Sequence, residues 1–124
     1  MNTSVYIDPS INLSTSRQLS IIIEFKILPA HSAVAAAKSQ GKQLTLEEAE
    51  SHVEQSHQTF RKELQILLEK NRIPYTIQNT YTNALNGVAM ELPANEIRRL
   101  MKSTVIARIH PNKQVHLDPP VQPY

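Results

Sequence analysis

Cysteine and tryptophan are both missing from this chain, and Gly41 and Gly87 are its only glycines. Without cysteine there is no disulfide framework, no thiolate nucleophile and no cysteine-held zinc. Such a chain suits the cytosol, and equally suits an exported bacterial protein that needs no disulfides. Two isolated glycines cannot make a phosphate-cradling loop. An excess of one charge is lacking too. Across 124 residues, 13 Lys and Arg face 11 Asp and Glu, which argues against a dedicated nucleic-acid binder. The apolar runs at 21–23 and 33–37 are far too short to cross a membrane. No signal peptide is visible, since Met1 is followed by polar residues; an exported form is expected to have lost its signal upstream.

What is present suffices for one domain with one core. Residues 1–17 are polar and contain Pro9, and read as a lead-in arm. Leu19, Ile21, Ile23 and Phe25 then alternate as a strand, with Ile22 apolar on the opposite face. Ser32 is placed to cap a short helix through Ala33–Ser39, which Gly41 closes in the left-handed conformation. Thr45 and Glu48 form a capping box. Behind it Leu46, Ala49, Val53, Phe60, Leu64 and Leu67 recur at helical spacing, with one gap of seven, in a helix expected to stop near Asn71. Ile73, Tyr75 and Ile77 alternate as a second strand, with irregular chain from Gln78 to Asn83. Asn86-Gly87 signals a turn or bulge hostile to a β-carbon at Gly87. Val88, Met90 and Leu92 make a third strand. Pro93–Ser103 is a short helix with Ile97, Leu100 and Met101 as its apolar face, and Val105, Ala107 and Ile109 make a fourth strand. Pro119, Pro120 and Pro123 keep the tail extended.

The order strand, helix, strand, strand, helix, strand predicts an α+β fold. It is the ferredoxin-like βαββαβ sandwich, a four-stranded antiparallel sheet with two helices on one face. That order carries no function by itself. Three stretches carry a resemblance: Ser20-Ile21-Ile22-Ile23-Glu24-Phe25-Lys26, the run from Tyr81 to Leu92 through Asn86-Gly87-Val88, and Ile97 to Ile109 leading into His110-Pro111. Together, over about Leu19 to Val115, they resemble the inhibitor-type propeptide domain of subtilases. Leu85 and Val88 stand where phenylalanine is common in that family. The long helix and the alanine-rich stretch before it look closest to propeptides of the bacillary minor extracellular protease (Vpr) type.

The resemblance implies a non-catalytic domain, 18–116, whose partner is a mature subtilisin-like catalytic domain. It implies no cofactor, no nucleic acid and no membrane, and a secreted protein. The helix-free sheet face would dock on two enzyme helices, through Ile22, Glu24, Ala89, Glu91, Ile106, His110 and Asn112. Small and apolar side chains at Ile22, Ala89 and Ile106 suit a covered face. The tail, 117–124, would lie in the substrate cleft, with Tyr124 in the primary pocket and Val121, Gln122 and Pro123 in the next subsites. Family members commonly carry carboxylates just after the last strand; here His110-Pro111-Asn112-Lys113 has none, leaving Glu24 or Glu91 to substitute. A second reading, from another class, is a free-standing ferredoxin-like regulatory or ligand-binding module, or an independent protease inhibitor.

The remaining constellations are bland. His52 and His57 lie five apart on the long helix, about 140° around its axis, so they do not converge on one ion and read as solvent-exposed positions. No Ser or Asp sits in a nucleophile elbow. Arg98, Arg99 and Lys102 read as the solvated face of a short helix.

Overall fold

A computed structural model of the protein describes residues 5–113. In chain order its elements are β1 (Tyr6–Ile7), β2 (Gln18–Phe25), α1 (Ala30–Ser39), α2 (Leu46–Leu67), β3 (Thr76–Tyr81), β4 (Gly87–Pro93), a 3₁₀ helix (Ala94–Lys102) and β5 (Ile106–Pro111). The strands form one sheet in the order β1-β5-β2-β4-β3. Strands β2 to β5 pair antiparallel. The class is α+β, but the sheet has five strands and is mixed, because β1 pairs parallel with β5. The expectation of four antiparallel strands is corrected by residues 5–13, which join the fold. Val5 and Ile11 are buried in the core and Leu13 packs against it. A two-residue strand, with Val5 before it and Asp8 after it, is too short to show a clear period.

One face of the sheet meets the helices. Ile21, Ile23 and Phe25 of β2, Val88, Met90 and Leu92 of β4, and Ile106 and Ile109 of β5 pack with Phe60, Leu64 and Leu68 and with Ala94, Ile97 and Leu100. α1 stays outside this core and packs on α2 through Ala30, Ala49 and Val53. α2 starts as its sequence dictates: Thr45 Oγ1 accepts the Glu48 N–H at 3.0 Å, and Glu48 Oε1 accepts the Thr45 N–H at 3.0 Å. α1 does not use Ser32; it begins at Ala30 after Pro29, with no side-chain cap. Gly41 does close it at φ +72°.

Several expected boundaries shift for physical reasons. The second strand runs from Thr76 to Tyr81, later than its apolar alternation suggested. It is the outer strand of the sheet, where polar residues are tolerated on both faces. Its register also slips between Ile77 and Asn79, making Gln78 an extra residue. The second helix is 3₁₀, so residues three apart eclipse. Ala94, Ile97 and Leu100 are therefore buried, and Met101 is left 48% exposed.

Candidate functional site

The helix-free face is built by register. Against β4, Ser20 lies opposite Glu91, Ile22 opposite Ala89, and Glu24 opposite Gly87. Against β5, Ile22 lies opposite His110 and Glu24 opposite Arg108. Directly opposed residues share a face, so Ile22 sits at the centre with charged groups above and below it. Glu24 Oε2 is 3.0 Å from His110 Nε2, and its Oε1 is 3.7 Å from Arg108 Nε. These are partly exposed pairs, each contributing at most about 1 kcal/mol. They hold Glu24 upright beside Ile22.

A groove of about 410 Å³ opens on this face, lined by Asp8, Ile22, Glu24, Leu85, His110 and Lys113. Asp8 enters it from the end of β1. Its backbone N–H donates to Ile109 O at 2.9 Å, and its Oδ1 accepts the Ser10 N–H at 2.8 Å. The Ser10 backbone and hydroxyl hydrogen bonds, with Lys113 and His110 nearby, hold the Asp8 carboxyl below its ordinary range. A carboxylate thus lies in space beside the stretch after β5 that carries none in sequence. Sequence reasoning passed over Asp8, Tyr6 and Arg108; the only signal was the spacing of Val5 and Ile7.

The expected interface residues divide. Ile22, Glu24, Glu91 and His110 are partly exposed on this face. Ala89 is on it too, but neighbouring groups leave it 0% exposed. Asn112 adjoins the face: its N–H donates to Ser20 O at 3.0 Å and its Nδ2 to Ser20 Oγ at 3.2 Å. Ile106 is not on the face at all. It pairs with Phe25 while Arg108 pairs with Glu24, so Ala107 is a bulge residue. That extra residue turns Ile106 into the core, where it is fully buried. The proposed cleft residues Val121, Gln122, Pro123 and Tyr124 lie outside the described residues.

Asn86 and Gly87 fix the end of the face. Asn86 is buried and its Nδ2 donates to Ile27 O at 2.9 Å and to Ser56 Oγ at 3.0 Å. Its Oδ1 is 2.7 Å from His57 Nε2, so that nitrogen carries the hydrogen and donates. His57 is therefore not a solvent-exposed position; it is 6% exposed and packs edge-on to Phe25. Ser56 and His57 fill the gap of seven in the apolar stripe of α2. Gly87 has an ordinary φ, but a Cβ there would lie 1.8 Å from Ile23 O. A separate cleft of about 450 Å³ runs along α2, lined by His31, Glu50, His57 and Arg61 among others. Among the described residues no group of three or more His, Cys, Asp or Glu side chains is placed to hold a metal, and no helix is long and apolar enough to cross a membrane.

Fold and face together define a class: an α+β domain that presents one open, mixed-polarity sheet face. The comparison with protein families narrows it. Residues 21–118 match the family described as peptidase inhibitor I9, most of the chain. The chain belongs to that family, the propeptide-type inhibitors of subtilases. No curated protein and no solved structure is significantly similar to it.

Proposed function

We propose that the chain is the propeptide of a secreted subtilisin-like serine protease, a chaperone for folding of its own catalytic domain and afterwards its product-like competitive inhibitor. The observation that carries this reading is the open face itself. It is helix-free, centred on Ile22, and runs to Lys113, from which residues 114–124 continue. On this reading the face docks on the enzyme and the tail enters the substrate cleft as an added strand, with Tyr124 in the primary pocket. Val121 to Pro123 occupy the subsites before it. The alanine-rich α1 and the long α2 support a propeptide of the Vpr type.

The test is a titration into the mature subtilisin-type catalytic domain read from the same gene, following hydrolysis of a chromogenic peptide. Competitive inhibition at submicromolar concentration is expected, and deletion of 121–124 should weaken it at least 100-fold while the melting temperature stays put. Equal inhibition by the truncated chain removes the tail from the cleft. No inhibition by the folded, full chain favours the free-standing module instead.

A further inference from the structure

The strand that sequence reading missed changes the extent of the docking face. Tyr6 pairs with Arg108 and Ile7 with Ile109. In-register neighbours point the same way, so Ile7 joins the core side and Tyr6 the helix-free side. Tyr6 is 57% exposed there, a large ring held on a rigid strand. Asp8 follows it into the groove shared with Ile22, Glu24 and His110. The segment is fastened at both ends: Val5 is 4% and Ile11 8% exposed, and Arg98 donates to Leu13 O at 3.2 Å. Tyr6 and Asp8 are therefore presented in a fixed geometry, with little ordering entropy to lose on binding.

We infer that Tyr6 and Asp8 form a second contact region for the protease, taking its apolar surface on the ring and a cationic or N–H donor on the carboxylate. The inference rests on the propeptide reading and extends it beyond residues 21–118. Its occupant is the same catalytic domain, for a reason of reach. Lys113 lines the groove beside Asp8, and the eight steps from 113 to 121 span at most about 29 Å even when fully extended. So short a tether keeps that enzyme beside the face on which it is proposed to dock through Ile22, Glu24 and His110, and Asp8 lines one groove with them. Tyr6 lies two residues before Asp8 on the same side of β1, opposite Arg108.

The experiment uses the full chain and the mature catalytic domain from the same gene. The double variant Tyr6→Ala/Asp8→Asn should raise the inhibition constant at least about 10-fold. A photo-crosslinking benzoylphenylalanine at position 6 should capture the protease, whereas one at Ile66, exposed on α2, should not. Unchanged inhibition by the double variant, with no capture from position 6, overturns the inference and leaves the propeptide reading intact. Should the double variant prove unfolded, capture from position 6 alone decides. Failure of the folded wild-type chain to inhibit removes both.

Discussion

Gly87 shows how one hydrogen atom can decide a sheet. The approach of Ile23 O to within 1.8 Å of the absent Cβ means that Gly87→Ala forces β2 and β4 apart. We expect a loss of about 2 kcal/mol or more, read from the urea midpoint. A midpoint equal to wild type would show that the two strands can separate without cost. Beside it, Asn86 satisfies Ile27 O, Ser56 Oγ and His57 Nε2 at once. Asn86→Ala strands buried groups on α2 and the Ile27 carbonyl of the loop after β2, and should cost about 3 kcal/mol; Ser56→Ala removes its own hydroxyl together with its bonds to Val53 O and Asn86, and should cost distinctly less. The dipeptide was legible as a turn or bulge hostile to a β-carbon at Gly87, and that hostility holds, while its partners were not legible. Its real constraint is close backbone approach at Gly87 and a buried polar hub at Asn86. The hub joins residues 29 to 59 apart in sequence, which no local pattern encodes. For the same reason His57 read as exposed: a polar residue in an apolar stripe looks like a gap until its partner is known.

Among the elements, those governed by local chemistry were the legible ones. The capping box at Thr45 and Glu48 acts through neighbouring backbone groups, and it starts α2 at the expected residue. Thr45→Ala should cost about 1 kcal/mol, with the loss of helix visible by circular dichroism. Strand parity is less legible because a single inserted residue inverts it. The bulge at Ala107 sends Ile106 inward, and the candidate interface lost that residue to the core. β1 was hidden for a different reason: it gains its hydrogen bonds from a strand a hundred residues later. Deleting residues 1–13 removes Val5 and Ile11 from the core and bares the edge of β5. We expect a melting temperature lower by at least about 5 °C. A truncated chain that melts like the full one would make the segment an ornament.

For the molecule as a whole, pH reports which titratable groups gain partners on folding. The Tyr75 hydroxyl donates to Glu69; burial first, and then that hydrogen bond and the Glu69 charge, push its pKa up to about 12. The folded value lies above the unfolded one near 10, so this contribution is complete below pH 10 and is lost as pH rises towards 12. Tyr75→Phe should flatten that alkaline limb in urea titrations; a limb of unchanged slope would assign it to other groups. Asp8 and Glu48 act in the opposite direction. Hydrogen bonds from Ser10 and Thr45 lower their pKa values, so their contributions hold above about pH 4 and fade as pH falls further.

The strand order also sets a timetable. β2 is central, yet its partners β4 and β5 are the last strands of the described fold to be made. At about 5–20 residues per second, the ribosome needs about 4–17 s to pass from Phe25 to Pro111. For most of that interval, until β4 is made, Ile21 and Ile23 have no neighbouring strand to pair with, and until β5 is made β2 has only one. The nascent chain is thus obliged to wait, its central strand unpartnered, until most of the described fold exists.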